Sequence, residues 1–251
     1  LGKRKAKNNE ILTPFNRRNS MADERDAMAD YYAEKLSADR LRRCYEIAPP
    51  RVRQYLQAET DHALAKIRPG DMALELGCGY GRIMASLAGK AGRIIGVDTS
   101  RASLAAGREH LTSFANCPLI QADAIRLPFP DLSFDVVFCL QNGISAFHVD
   151  PERLIEESVR VTKPGGTVLF SSYSDQFWAH RLAWFELQAA EGLVGEIDHE
   201  KTEAGRIRGK DGFTATTVGQ AEFRRLTASI EAKTEIYEID DSSVFCEIVR
   251  F

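Results

Sequence analysis

From Asp71 to the end of the chain, short apolar runs alternate with longer segments whose apolar residues recur at helical spacing. The runs predict strands near 72–76, 93–97, 117–121, 134–140, 167–172, 231–239 and 243–250. The segments between them predict helices near 82–89, 100–114, 151–162 and 217–229. That alternation predicts a parallel sheet with right-handed crossovers, an α/β three-layer sandwich. Ser100 and Asp150 stand where helix caps are expected, with Pro151 in a first helical turn. Thr217-Val-Gly-Gln220 has the spacing of a capping box. Asp240-Asp241-Ser242 reads as a hairpin turn, which sends the final strand into the sheet antiparallel.

The rest of the chain divides by pattern into three parts. Residues 1–20 form a basic tail, with Lys3, Arg4, Lys5, Lys7, Arg17 and Arg18 against a single Glu10, and are expected to be solvated and disordered. Residues 21–68 are helical in composition, broken at Pro49-Pro50, and carry Tyr31, Tyr32, Tyr45 and Tyr55 as an N-terminal cap. Residues 69–251 hold the alternating domain, interrupted by an insertion at about 174–216. That insertion opens with an aromatic helix over about 175–191 and has a tight turn at Lys210-Asp211-Gly212-Phe213. It follows the fifth strand, so it overhangs the carboxyl edge where open α/β sheets bind ligands, and we read it as a lid.

Composition narrows the function classes only a little. The chain has 251 residues, enough for one large domain. Its net charge of −3 provides no general basic field and argues against nucleic acid as partner. No apolar run reaches the length of a membrane span, and no signal peptide is visible. The five cysteines are scattered, without a Cys-x-x-Cys pair, which predicts reduced buried thiols, a cytoplasmic location and no metal site.

The chemistry concentrates in Ala73-Leu-Glu75-Leu-Gly77-Cys78-Gly79-Tyr80-Gly81-Arg82, an apolar strand running into three alternate glycines and then a helix. Bare backbone there lets a small charged molecule lie against the turn, with the helix N-terminus aimed at it. Asp98 ends the next strand, 21 residues after Gly77, where a carboxylate can accept both hydroxyls of a ribose. A nucleoside cofactor follows. The spacing G-x-G-x-G, with Glu75 two residues ahead, departs from the dinucleotide pattern G-x-G-x-x-G.

Glu75-x-Gly77-x-Gly79-x-Gly81 resembles the first motif of the class I S-adenosylmethionine-dependent methyltransferases. Further segments resemble the same family in the same order: Asp98, Gln121-Ala122-Asp123-Ala124, the run from Leu127 through Phe134-Asp135 to Val137, and Lys163-Pro164-Gly165-Gly166. The resemblance is close over about 65–172 and implies a Rossmann-like sandwich with a seven-stranded, mostly parallel sheet and an antiparallel last strand. It implies S-adenosylmethionine as cofactor, with S-adenosylhomocysteine as product. Glu75 would help hold its amino-acid end, beside the loop residues Gly77, Cys78, Gly79 and Gly81. Asp98 and Thr99 would meet the ribose, Asp123 and Ala124 the adenine, and Leu140 the wall after the fourth strand.

Methyl transfer is an in-line displacement that needs no covalent protein intermediate, so catalytic residues are hard to read from sequence. The candidates lie after the fourth strand, at Gln141, Asn142, Gly143 and His148, and after the fifth, at Tyr173. His148 sits in Phe-His-Val-Asp-Pro, similar to the His-containing loop of quinone and sterol methylators, and could take a proton from an acceptor. Arg181 on the lid could meet a carboxylate or hydroxyl. The leading expectation is a methyltransferase for a small-molecule acceptor. RNA or protein methylation, and a non-catalytic binding module, are the alternatives.

Overall fold

The computed structural model describes Leu36 and residues 38–251. The predicted basic tail, Tyr31 and Tyr32 lie outside the described residues. Two cap helices come first, α1 (Ala38–Glu46) and α2 (Pro50–Lys66). The alternating domain follows as β1 (Met72–Leu76), α3 (Arg82–Leu87), β2 (Arg93–Asp98), α4 (Arg101–His110), β3 (Leu119–Gln121) and β4 (Phe134–Cys139). A short α5 (Gly143–Ala146), α6 (Pro151–Val161) and β5 (Thr162–Tyr173) complete the parallel part. The insertion contributes α7 (Trp178–Ala190) and a small hairpin, β6 (Arg206–Arg208) with β7 (Thr214–Thr216). α8 (Gln220–Thr227), β8 (Ala232–Ile239) and β9 (Ser243–Arg250) close the chain.

The main sheet has seven strands in the order β3-β2-β1-β4-β5-β9-β8. β1 to β5 run parallel, and β9 enters antiparallel between β5 and β8. Its layers follow from the two-residue period of a strand. Val137 and Cys139 of β4, Val168 and Phe170 of β5, and Cys246 and Ile248 of β9 face one way, under Leu154 of α6 and Phe223 of α8. Val136, Phe138, Leu169 and Phe245 face the other way, under Ala63 of α2 and Met84 of α3. All five cysteines are buried free thiols. No helix among the described residues is long and apolar enough to cross a membrane.

Ser100 caps α4 by accepting from the N–H of Ser103, and Asp150 caps α6 by accepting from Glu152 and Arg153, as the sequence predicts. The capping box at Thr217 does not form. α8 begins at Gln220 behind Gly219, with no side-chain cap. The Thr217 hydroxyl instead donates to the carbonyl of Gly205 (3.4 Å), which draws it toward the hairpin and away from the helix. α3 also ends early, at Leu87, and this one-and-a-half-turn helix has little macrodipole to offer a ligand. Lys163–Gly166 belongs to β5 by backbone conformation, but pairing with β4 is irregular until Thr167 meets Val136.

Candidate active site

Every strand that carries a predicted site residue delivers it to the same carboxyl edge. One cavity of about 660 Å³ runs along that edge, lined by Gly77, Gly79, Asp98, Thr99, Asp123 and Ala124. Tyr45 of the cap, Tyr173 after β5, and Trp184, Phe185 and Gln188 of α7 line it too. Glu75, Cys78, Leu140, Asn142 and His148 also line it, so the structure brings together nearly all the residues singled out from sequence. Gly81 and Arg181 do not line it.

The glycine loop is pinned from below, with the N–H groups of Gly77 and Cys78 both donating to the carbonyl of Val97 (2.8 and 3.0 Å). The three glycines have different reasons to be bare. A Cβ on Gly77 would fall 2.4 Å from the Phe147 ring, and one on Gly81 would fall 2.5 Å from Leu111. A Cβ on Gly79 would crowd only the tip of Leu41, at 3.1 Å. The expected cradle thus narrows to one residue, while its neighbours are bare for packing. Gly79 also has φ of +54°, a conformation that side chains resist.

Asp98 anchors this cradle. One carboxylate oxygen accepts from the N–H of Gly79 and the other from the N–H of Ser100, both at 2.8 Å. Burial pushes its pKa up, while those N–H groups favour the charged form. Each oxygen keeps a lone pair for a hydroxyl. Asp123 uses one oxygen to accept from the N–H of Ile125 (3.0 Å), which holds the turn after β3 in place. Glu75 is nearly fully buried, and its Oε2 has no hydrogen-bond partner. Burial pushes its pKa up to about 8, against the pull of Arg82. Arg82 lies with its guanidinium 4.5 Å from the Tyr45 ring centroid and leaves Nη2 enclosed without a partner. An unpartnered carboxyl oxygen and an unpartnered guanidinium nitrogen on one cavity wall suit a ligand that carries both an ammonium and a carboxylate. With the bare Gly79 and with Asp98, whose oxygens can each still accept a hydroxyl, these residues fit a nucleoside that carries an amino-acid arm.

Past β4 the backbone is strained, with φ of +54° at Gln141 and +64° at Asn142. Each such residue costs about 1–3 kcal/mol and persists only where its surroundings hold it. Glu59, a fully buried acid of α2, supplies the hold. Its Oε2 accepts from the N–H of Gln141 and the hydroxyl of Ser171 (both 2.8 Å), and its Oε1 accepts from the hydroxyl of Ser243 (2.7 Å). Burial raises its pKa to about 7, opposed by these donors. Sequence reasoning missed Glu59 and Arg82. A signal for Glu59 was present, because it interrupts the apolar stripe Val52, Tyr55, Leu56, Ala63 of α2.

The side chain of Asn142, which lines the cavity, is also engaged inside the fold. Its Nδ2 donates to the carbonyl of Thr216 (2.9 Å), and its Oδ1 accepts from the hydroxyl of Ser172 (2.7 Å), which ties the lid hairpin to the sheet. His148 is half-buried, with a positive φ of +53°, and burial lowers its pKa. Its imidazole is therefore neutral at pH 7. Burial pushes the Tyr173 phenol up to about 12, so it stays protonated and can act as a donor. Behind it, fully buried Arg181 packs 4.6 Å from the Tyr173 ring centroid and donates to the carbonyl of Thr216 (3.2 Å).

Residues 74–170, which span β1 to β5 and the glycine cradle, match the family model for a methyltransferase domain. The segment is a methyltransferase domain. The chain is 34% identical over 124 residues to a demethylmenaquinone methyltransferase of Clavibacter sepedonicus, covering 48% of each chain. It is 35% identical over 116 residues to a ubiquinone/menaquinone biosynthesis C-methyltransferase of Vibrio vulnificus, covering 43% of each. The chain thus spans about half the length of the curated relatives it matches. Among solved structures, a SAM-dependent methyltransferase from Aquifex aeolicus superposes with a TM-score of 0.57 at 12% identity, over 84% of this chain and 98% of that one. The N-methyltransferase NodS of Bradyrhizobium japonicum gives 0.57 at 14%, over 88% and 97%. At such identities the structural likeness concerns the fold.

Proposed function

We propose that this chain binds S-adenosylmethionine at the glycine end of the cavity and methylates a small-molecule acceptor held at the lid end. The observation that carries this is the continuity of the cavity, from the Gly79–Asp98 cradle to the aromatic wall of Tyr45, Tyr173 and Trp184. Donor and acceptor can then meet without crossing solvent. Asp98 would hold the ribose, Asp123 and the backbone at Ala124 the adenine, and Glu75 with Arg82 the amino-acid end. When bound, the sulfonium supplies an electrophilic methyl group open to in-line attack. The chain's own part is to orient the acceptor on that line and keep water out. His148 would take the acceptor's proton, with the protonated Tyr173 as a hydrogen-bond donor to it. The names of the relatives, together with the aromatic wall, support a quinol-type ring as acceptor.

Calorimetry with S-adenosylhomocysteine tests the cofactor half, and labelled-methyl transfer onto a panel of hydroquinones and naphthols tests the other. Absence of heat with S-adenosylhomocysteine sinks the reading. The raised pKa of Glu75 makes a further prediction. At pH 7 its carboxyl is largely protonated, and an incoming ammonium favours the ionised form, so binding should release up to one proton. The binding enthalpy should then vary with the ionisation enthalpy of the buffer, and Glu75→Gln should remove that dependence. For His148, kcat/KM should fall as pH drops through an apparent value below 6.5. That acid limb should disappear in His148→Gln, and its persistence there would assign proton transfer to another group.

A further inference from the structure

Gln141 is held at both ends by the N-terminal cap. Its N–H donates to Glu59 Oε2 of α2 (2.8 Å) and to the hydroxyl of Ser171 (2.8 Å). Its side-chain Oε1 accepts from the hydroxyl of Tyr45, on α1, at 3.1 Å. The Tyr45 ring is in turn sandwiched, with Trp184 of the lid at 6.2 Å between centroids and the Arg82 guanidinium at 4.5 Å. One polar atom is left over. Gln141 Nε2 is enclosed at the cavity wall and has no partner.

An amide held this firmly, in a backbone conformation that glutamine resists, with one donor left over, is arranged for something outside the fold. A donor requires an acceptor atom on the ligand, and its neighbours on this part of the wall, Tyr45, Trp184 and Phe185, are aromatic. Flat aromatic walls select a flat ring. We propose that Gln141 Nε2 is the donor that recognises a ring oxygen of the acceptor, a carbonyl or hydroxyl on a planar ring, and that Tyr45 and Glu59 are the positioning residues that aim it. This rests on the reading of the lid end as the acceptor chamber.

The proposal explains why the cap is built into the site. Tyr45 stands on α1 and Glu59 on α2, so the cap helices set both the height and the rotation of the recognising amide. It also separates two roles at the β4 exit. Gln141 selects the ring, while His148, seven residues on, faces the same cavity from another loop and handles the proton.

Two matched probes test it, 2-naphthol and naphthalene, which share a ring system and differ by one oxygen. Both are titrated into the full chain by calorimetry, with and without S-adenosylhomocysteine. The wild-type protein should prefer 2-naphthol by roughly tenfold, equivalent to about 1.4 kcal/mol. Gln141→Leu should bring 2-naphthol down to the affinity of naphthalene and leave naphthalene and S-adenosylhomocysteine unchanged. Gln141→Met keeps the length and the backbone bonds but can neither donate an N–H nor accept strongly, and it should lose the preference too. Tyr45→Phe should reduce the preference a few-fold by freeing the amide to rotate. A wild-type protein without the preference, or a preference surviving either change at Gln141, overturns the proposal. So does protein that takes up S-adenosylhomocysteine but neither ring. If the ring preference and its loss are seen while S-adenosylhomocysteine fails to bind, the cofactor reading falls and the role of Gln141 stands.

Discussion

Glu59→Ala is expected to destabilise the protein by about 2–5 kcal/mol, as the buried hydroxyls of Ser171 and Ser243 lose their acceptor at about 1–3 kcal/mol each, less some reorientation, while the N–H of Gln141 keeps only Ser171. Denaturant unfolding would measure the loss, and a change under about 1 kcal/mol would mean that these donors find other partners. The same residue carries a pH signature. Burial raises its pKa in the folded state to about 7, above the ordinary 4.5. The folded protein therefore holds a proton that the unfolded chain has released between those values. The resulting stabilisation is fully present below pH 4.5 and is lost as pH rises through about 7. Glu75, raised to about 8, extends the window upward in the ligand-free protein. The thermal midpoint should fall between pH 5 and pH 8, and Glu59→Gln should flatten the lower part of that slope. A midpoint that rises with pH over this window would contradict the buried, hydroxyl-bound carboxyl.

Asp98→Ala is expected to weaken S-adenosylhomocysteine by about 1–3 kcal/mol, roughly 5- to 150-fold, the scale of losing hydrogen bonds to a charged acceptor. Two losses add. The carboxylate no longer accepts the ribose hydroxyls, and the N–H groups of Gly79 and Ser100 lose the acceptor that shapes the cradle. Asp98→Asn separates them, because its amide oxygen can keep one N–H while its NH₂ opposes the other. Its affinity should lie between wild type and alanine. Equal affinity in all three proteins would put the nucleoside elsewhere along the cavity.

The strand edge was legible before any coordinates. Apolar runs ending in Glu75, Asp98 and the turn at Asp123 had to meet at one edge once the strands ran parallel, and they do. Caps at Ser100 and Asp150 were equally legible, since capping is a local hydrogen bond between residues two or three apart. Thr217 misled for the same reason. Its local spacing suited a cap, but the hairpin carbonyl of Gly205, distant in sequence, stood closer in space. The glycine loop was half legible. Three bare residues were visible, yet the packing of Phe147 and Leu111 against two of them depends on where those side chains arrive.

How Tyr45, Gln141, Tyr173 and Trp184 come together lay beyond sequence reasoning because they come from four places. Tyr45 belongs to the cap, Gln141 to the β4 exit, Tyr173 to the β5 end and Trp184 to the lid. No spacing links them. What the sequence alone determined is the parallel sheet and which residues meet at its carboxyl edge, since strand period and turn composition act over a few residues. What only the tertiary structure decided is the buried carboxyl of Glu59, the side-chain engagement of Asn142 and the one unused donor on Gln141. Hydrogen-bond completion is settled by neighbours in space, and a buried polar atom shows its purpose only when all of them are known.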